Sequence, residues 1–265
     1  MIMKIFLKLS FLGTAYCGYQ VQENAVSIQQ MLNEAAEKVF GFPCDIVGCS
    51  RTDSGVHAEE FCVTVTEKKK SGIATSIPVS RIPVAMNCFL PEDISVLEAS
   101  FVSEEFHARY DVKYKEYVYR IWNGRVKNPF LADRMMFLPT PISDEALARA
   151  NEAARAFVGK QDFRSFMASG SKITDTVRTV YHAELSRKGD VITFRVAADG
   201  FLYHMVRIMA GTLVETLLGK RSPNEVAEII GERDRKRAGS TAPACGLYLH
   251  RVSYETYQNE GGNNE

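Results

Sequence analysis

The sequence predicts an α+β protein built from two tandem ferredoxin-like halves, with mainly antiparallel sheets and a central cleft. Three observations predict this fold. A β-α-β-β-α-β pattern fills residues 1–104, the same order begins again in residues 105–257, and hydrophobic residues make up 46% of the 265-residue chain. That apolar content is enough for a folded core. The Gly- and Asn-rich tail, residues 258–265, is expected to be disordered.

The first half is predicted to begin with a strand at residues 4–11, where apolar residues alternate with lysine and serine. Ser27 and Gln30 form a capping-box pair, which predicts the start of a helix that Gly41 ends. The remaining predicted elements are a strand at 45–49, a loop at 50–57, a strand at 61–66, a short helix at 81–89 and a strand at 94–101.

The second half is predicted to open with a long strand at residues 112–122. Ser143 begins a helix that Gly159 closes, with inward-facing Leu147, Ala150, Ala154 and Val158. The remaining predicted elements are a hairpin of strands 178–186 and 191–197, a helix at 202–218, a short helix opening at Ser222 and a last strand at 247–254.

Charge and hydropathy exclude several classes of protein. The 32 basic and 32 acidic residues balance, which argues against a protein that coats nucleic acid indiscriminately. Residues 109–134 nevertheless hold seven basic and three acidic residues, and a second basic group lies at residues 233–237. We therefore expect a local basic cleft. No apolar run could span a bilayer, so no membrane partner is expected.

Cysteine content and the first residues indicate a cytoplasmic protein. Six cysteines without a C-x-x-C pair are typical of small buried hydrophobic side chains in a chain of this size. The segment 1–10 lacks the unbroken apolar stretch of a secretory signal.

Several familiar cofactor and metal motifs are missing from the sequence. Neither G-x-x-x-x-G-K-[ST] nor G-x-G-x-x-G occurs, so no nucleotide cofactor is expected. His-Ala-Glu occurs at 57–59 and 182–184, as in the H-x-E of zinc deaminases, but no P-C-x-x-C follows either copy. We therefore expect no metal, and a hydrogen bond between His182 and Glu184 on one strand face.

The loop Ser50–Ala58 carries the strongest chemical signal. An Asp-Ser-Gly sequence alone is an ordinary turn. Here Arg51 lies two residues from Asp53, close enough to pair with that carboxylate or to hold a phosphate. The loop also joins two adjacent strands, which would hold its tip rigidly. A carboxylate kept ionised in this way can act as a nucleophile or a base.

Ser50-Arg-Thr-Asp-Ser-Gly-Val-His-Ala58 resembles the catalytic loop of the TruA-type tRNA pseudouridine synthases, with Ser50 where the family usually has glycine. Further blocks resemble the family in the same order along the chain: Asn87–Ile94, Phe106–Tyr110, Lys115–Arg120, His204–Arg207 and Ala242–Leu249. The resemblance therefore covers nearly the whole chain apart from the tail.

The resemblance implies an isomerase that converts uridine to pseudouridine with a single aspartate, Asp53, and with no cofactor or metal. Asp53 would either attack C1′ or take a proton from C2′, and the sequence leaves both roles open. The target uridine would leave the base stack to be reached.

The resemblance also assigns three supporting residues. Arg207 would be the cation beside Asp53, Tyr117 would stack on the target base, and Leu247 would form the apolar floor under the uracil. On its strand Tyr117 alternates in phase with Lys113, Lys115, Tyr119 and Ile121, a pattern that suits an RNA-binding face or a strand packed on a helix.

Partners follow from the same resemblance. The family acts on the anticodon stem-loop of tRNA, at tRNA positions 38 to 40, as a homodimer. The candidate phosphate contacts are Arg51, Arg109, Lys113, Lys115, Arg178 and the basic residues at 233–237. The alternative hypothesis is a non-catalytic RNA-binding module of the same fold, which would explain the basic residues but give Asp53 and Arg207 no role.

Overall fold

A computed structural model describes residues 3–171 and 173–258 of the chain. The predicted tail begins at 258, and its residues 259–265 lie outside the described part. In the two described ranges, no helix is long and apolar enough to cross a lipid bilayer.

The described residues form the predicted strands and helices in the predicted order, together with two further short strands in the second half. The strands are β1 (Met3–Phe11), β2 (Cys44–Gly48), β3 (His57–Glu67), β4 (Ile94–Ser103), β5 (Tyr114–Trp122), β6 (Met136–Phe137), β7 (Gly159–Asp162), β8 (Val177–Lys188), β9 (Val191–Ala198) and β10 (Leu247–Ser253). The α-helices are α1 (Ile28–Phe40), α2 (Ile82–Asn87), α3 (Asp144–Arg155), α4 (Met205–Leu217) and α5 (Glu225–Glu232).

The chain divides into two compact units. The first runs to Asp111 and also includes Tyr248–Val252, and the second comprises Val112–Leu247 and resumes at Ser253. Most of the last strand thus belongs with the first unit, although it follows the second in sequence. The predicted boundary between residues 104 and 105 and the predicted central cleft stay predictions.

In the first unit the strands lie in the order β4, β1, β3, β10, with β2 also paired to β3. β1 is antiparallel to both its neighbours, whereas β10 runs parallel to β3. β2 pairs with the far half of β3, where Gly48 lies opposite Val63, and β10 pairs with its start, where Tyr248 lies opposite His57. The predicted β-α-β-β-α-β order of this half is confirmed.

Alternation along β1 builds the core of the first unit. Ile5, Leu7 and Leu9 are fully buried, and the residues between them are partly exposed. At α1, the Ser27 Oγ accepts the Gln30 N–H (3.3 Å), as the capping box predicts. The Gln30 side chain does not complete the box, because its amide donates to Glu34 one turn along the helix instead (3.0 Å). Half of the predicted box therefore forms.

The second unit contains a sheet in the order β5, β9, β8, β7, with antiparallel pairing throughout this path. The short β6 runs parallel to β5. An aromatic group that includes Phe157, Phe166 and Phe194 fills its core. The predicted α+β class with mainly antiparallel pairing is confirmed.

Three details of the second half differ from the sequence prediction. α3 ends at Arg155, before Gly159, because Gly159 instead begins β7. Val158, predicted to face inward, is 44% exposed because it lies beyond the helix end. β6 and β7 were not predicted, since strands of two and four residues are too short to show a period-2 pattern.

Replacing the cap of α3 tests whether the hydroxyl of Ser143 stabilises this helix. Its Oγ accepts the Ala146 N–H (3.2 Å), and Ser143 itself is exposed. Ser143→Ala should lower the free energy of unfolding by about 1 kcal/mol, because one backbone donor loses its acceptor. Ser143→Asn should unfold like the wild type in urea, since asparagine caps equally well, and equal losses in both variants would contradict this role.

Candidate functional site

Asp53 lies half-buried in the loop at residues 49–56, which leaves β2 and enters β3. The two strands still pair at the base of the loop, where the Cys49 N–H donates to the Cys62 carbonyl (2.8 Å). At the tip, the Val56 N–H donates to the Asp53 carbonyl (3.2 Å) and closes a tight turn. The backbone on both sides of the carboxylate is therefore fixed by the sheet and by the turn.

A second stretch of chain, residues 13–20 between β1 and α1, supports this loop, and we call it the supporting segment. The Tyr16 carbonyl accepts bonds from the Gly55 N–H (3.3 Å) and the Ser54 Oγ (3.2 Å). The Tyr19 N–H donates to the Thr52 carbonyl (3.3 Å). These three bonds bracket Asp53, because they act on the residue before it and the two residues after it.

Two glycines allow the supporting segment and the loop to touch through their backbones. A Cβ on Gly18 would lie 2.4 Å from the Thr52 carbonyl oxygen, and one on Gly13 would lie 2.0 Å from that of Val56. Gly18 also has φ +84°, a backbone conformation that residues other than glycine rarely adopt. The distance between the two backbones thus depends on the absence of a side chain at both positions.

Buried aromatic side chains anchor the supporting segment. The Tyr19 ring stacks on Phe61 of β3 (centroids 4.5 Å apart) and occupies the space that a side chain on Gly48 would need. Burial raises the pKa of Tyr19 far above its usual range, so this phenol stays neutral. The Tyr16 hydroxyl donates to Asp93 Oδ1 (2.5 Å), and burial and that bond raise its pKa as well.

The first His-Ala-Glu tripeptide has a structural role at the end of this loop. His57 is fully buried, and its Nδ1 accepts the Gly13 N–H (2.9 Å), which leaves the ring proton on Nε2. The same ring packs against Tyr248 of β10 (centroids 4.6 Å apart). Glu59 lies 2.5 Å from Nδ1 of His250.

The second tripeptide places His182 Nε2 3.2 Å from Glu184 Oε1 on one face of β8. The predicted hydrogen bond does not form, because that nitrogen has no hydrogen-bond partner among the described residues. Across residues 3–171 and 173–258, no three His, Cys, Asp or Glu side chains are grouped as metal ligands would be.

Arg51 does not pair with Asp53, contrary to the expectation from their spacing. Its side chain is exposed and forms no hydrogen bond or ion pair within the described part of the chain. An exposed guanidinium keeps its hydration and gains little from a surface ion pair. The other predicted role of Arg51, contact with a phosphate, stays a prediction.

Tyr117 lies on β5 of the second unit, opposite Val196 of β9, and is 7% exposed. Its ring contacts Phe201 edge to face (centroids 5.0 Å apart). The predicted open aromatic face does not extend along the strand, because Tyr119 is fully buried and its hydroxyl donates to the Pro243 carbonyl (2.9 Å). Tyr117 and Tyr119 are therefore both buried, as the packing alternative predicts.

Arg207 lies half-buried in the first turn of α4, and its Nε donates to the Ala242 carbonyl (2.8 Å). One turn further along this helix, Gly211 is buried against the Ser240 backbone. The helix begins at Met205, three residues later than predicted, since His204 adopts φ +59°. Pairing between Arg207 and Asp53 stays a prediction.

The other predicted site residues are distributed over both units. Leu247 is buried at the start of β10, whereas Arg109 and Lys113 are exposed and Lys115 is partly exposed. The Arg178 Nη1 donates to the carbonyls of Asp175 (3.2 Å) and Val177 (2.5 Å). Their contacts with phosphate stay predictions.

Most of the basic residues at 233–237 have partners within the second unit. Arg233 pairs with Asp162 (3.1 Å), and Arg237 pairs with Glu232 (2.6 Å). Arg235 donates to the Ala238 carbonyl and the Thr241 hydroxyl (both 3.3 Å). Three of the four cations predicted to bind phosphate therefore have protein partners.

The supporting segment is the part of the site that sequence reasoning missed. Its signal was available in the glycines and tyrosines of Gly13-Thr-Ala-Tyr-Cys-Gly-Tyr-Gln20, a turn-rich stretch between a strand and a helix. Nothing in the sequence alone shows that it touches a loop some 40 residues later.

Comparison with known proteins gives full-length relatives. A family model described as tRNA pseudouridine synthase matches residues 153–255. Proteins named tRNA pseudouridine synthase A are similar over nearly the whole chain. They include those of Thermoanaerobacter sp. (strain X514), 40% identical over 94% of this chain and 99% of the relative, and of Moorella thermoacetica, 42% identical over 94% and 98%. That of Bacillus licheniformis is 40% identical over 96% of this chain and 100% of the relative.

Among solved structures, the crystal structure of a Cbf5-Nop10-Gar1 complex matches with a TM-score of 0.34 and 12% identity. The match covers 92% of this chain and 57% of that chain.

Substituting glycines tests the close approach at the Asp53 loop. Gly18→Ala should destabilise the protein more than Gly41→Ala, because both have φ near +80° but only Gly18 faces another backbone. The strained φ costs about 1 kcal/mol at each position, so the excess for Gly18→Ala measures the contact. Hydrogen exchange at residues 51–56 should also speed up in Gly18→Ala alone. Equal destabilisation and unchanged exchange would contradict the contact.

Proposed function

We propose that this chain, which belongs to the tRNA pseudouridine synthase A family and therefore isomerises uridine to pseudouridine in tRNA, does so with the Asp53 carboxylate. Its target is a uridine of the anticodon stem-loop, at tRNA positions 38 to 40. The observation that carries the proposal is the way the supporting segment and the β2–β3 pair together hold the loop that bears this single carboxylate.

The proposed reaction leaves the elemental composition of the substrate unchanged. The N1–C1′ bond breaks and its electron pair stays with the uracil, which turns over and forms a bond from C5 to C1′. The C5 proton is lost and N1 gains one, so the product is an isomer. Asp53 either bonds to C1′ and is later displaced, or removes the C2′ proton and returns it.

A fixed backbone supports either role of Asp53. Correct placement of a reacting group can account for a large part of a rate enhancement, and a misplacement of about 1 Å can cost about 10²-fold. The loop is held on both sides of Asp53 by hydrogen bonds to Tyr16 and Tyr19. The carboxylate therefore has little freedom beyond its own side-chain torsions.

Three residues of the second unit complete the proposed chemistry. The Arg207 guanidinium supplies the cation that keeps Asp53 ionised and oriented. Tyr117 stacks on the target base once it leaves the helix. Leu247 forms the apolar floor beneath the uracil, which is consistent with its burial at the start of β10.

Cations away from the reacting atoms bind the tRNA backbone in this proposal. Arg51, Arg109 and Lys113 are exposed, as phosphate contacts require, and Lys115 and Arg178 lie partly exposed. We further propose that the protein acts in the cytoplasm as a homodimer that binds one tRNA across both copies. These assignments rest on the family and on the exposure of the cations.

Replacing the carboxylate tests the catalytic assignment. Asp53→Asn should lower the rate of pseudouridine formation by on the order of 10³-fold or more, because the amide can serve neither as nucleophile nor as base. Mass spectrometry of digested tRNA measures the product, and gel-shift titration measures tRNA affinity, which should change little. Asp45→Asn is the matched control, since Asp45 is an exposed residue of the same unit that accepts the Lys69 N–H.

A non-catalytic RNA-binding module predicts a different pattern for the same variants. In that case Asp53→Asn would be neutral, or would strengthen tRNA binding by removing a negative charge. Substantial pseudouridine formation by Asp53→Asn would reject the proposed mechanism.

Substituting Tyr117 tests base stacking. Tyr117→Phe should retain tRNA affinity because the ring remains, whereas Tyr117→Ala should lose about 1–3 kcal/mol of base-stacking energy. Gel-shift titration gives the tRNA affinities of the two variants, and single-turnover rates at saturating tRNA give their activities. A Phe variant as impaired as the Ala variant would indicate that the hydroxyl, rather than the stacked ring, is required.

A further inference from the structure

A four-residue segment lies directly against α4 in the second unit, and we call Gly239–Ala242 the 239–242 strap. A Cβ on Gly211 of α4 would lie 1.8 Å from the Ser240 carbonyl oxygen. A Cβ on Gly239 would lie 2.7 Å from the Thr212 nitrogen. The helix and the strap therefore both have a glycine where they meet, and their backbones are in contact.

Hydrogen bonds hold the 239–242 strap on three successive turns of α4. The Gly239 N–H donates to the Thr212 hydroxyl oxygen (2.9 Å), in a fully buried contact. The Ala242 N–H donates to the Arg207 carbonyl (3.0 Å). The Ser240 N–H donates to Glu215 Oε1 (3.3 Å).

The far end of the strap is held by the sheet. Pro243, the residue after the strap, accepts the hydrogen bond from the buried Tyr119 hydroxyl of β5 (2.9 Å). Burial keeps this phenol protonated, because it raises the pKa of Tyr119 well beyond its usual range. The strap is thus fixed between a helix and a strand, with little freedom to move.

The strap also controls the direction of the Arg207 side chain. The Arg207 Nε donates to the Ala242 carbonyl (2.8 Å), while the Ala242 N–H returns a bond to the Arg207 backbone. A bond at Nε fixes the rotation of the guanidinium plane and hence the direction in which its two terminal nitrogens face. The position of Ala242 therefore sets the position of that cation.

We propose that the 239–242 strap positions the Arg207 guanidinium for the reaction, and that Thr212, which holds the strap at Gly239, is a positioning residue for catalysis. This inference rests on the proposed role of Arg207 beside Asp53. Thr212 acts through the strap, because its hydroxyl accepts the Gly239 N–H and donates to the Ile208 carbonyl of its own helix (2.8 Å).

The test removes only the hydroxyl of Thr212. Thr212→Val keeps the branched shape but leaves the buried Gly239 N–H without its acceptor, so the strap should shift. Thr216→Val is the matched control, because Thr216 is equally buried one turn along α4. Among the described residues, its hydroxyl bonds only to the Thr212 carbonyl of its own helix (3.3 Å). Thr212→Ser restores the acceptor.

Thr212→Val should lower kcat for pseudouridine formation by ten- to a hundredfold, the scale that follows from a displacement of about 1 Å. KM for tRNA should stay within about twofold of the wild type, because binding is spread over many contacts. Thr216→Val and Thr212→Ser should retain nearly full kcat. If Thr212→Val does not fold, Thr212→Ala, which also removes the acceptor of the Gly239 N–H, takes its place with the same expectation.

A separate variant distinguishes failure of this inference from failure of the proposed function. Arg207→Ala should lower kcat at least as far as Thr212→Val. An impaired Arg207→Ala beside a fully active Thr212→Val, or equal losses in Thr212→Val and Thr216→Val, would overturn the role of the strap. A fully active Arg207→Ala would instead refute the role of Arg207 in the proposed function, and the strap inference with it.

Discussion

Contact between two backbones is the constraint on which the candidate site depends. The supporting segment touches the Asp53 loop at Gly13 and Gly18, where even a methyl group would collide with a carbonyl oxygen. Such contact leaves no adjustable side chain between the two stretches, so the loop takes its position from β1 and α1 as well as from its own strands. A carboxylate on this loop is held by the fold rather than by flexible neighbours, which is what a group that must meet one carbon atom of a substrate requires.

In the second unit, close backbone contact at glycines likewise positions a charged side chain. Gly211 and Gly239 bring the 239–242 strap against α4, and the Ala242 carbonyl then directs the Arg207 guanidinium. In both units a charged side chain is thus placed by backbone groups that are held through close approach at glycine. The arrangement is consistent with a reaction that relies on one carboxylate and one cation, since neither group would work from a variable position.

Local patterns were sufficient to predict the fold class and to single out Asp53 as the candidate reactive residue, and distant contacts account for what was missed. Alternation in β1 and the serine caps of α1 and α3 are local, so the sequence showed them directly. Asp53 was evident from a contiguous motif. The partner of Arg233 is Asp162, some 70 residues away, and Gly18 contacts a loop some 35 residues later. Neither contact produces a periodic pattern in the sequence from which it could be predicted. Arg51 was misjudged because spacing alone does not show that its side chain stays solvated.

The central claim is that the carboxylate held in this loop isomerises a uridine of the anticodon stem-loop. Its most direct test is chemical mapping, at single-nucleotide resolution, of an unmodified tRNA transcript incubated with the purified protein alone. We expect pseudouridine within positions 38 to 40 and at no other uridine, without any added cofactor. A transcript that binds the protein yet gains no pseudouridine, or gains it only outside the anticodon stem-loop, would contradict the proposed function.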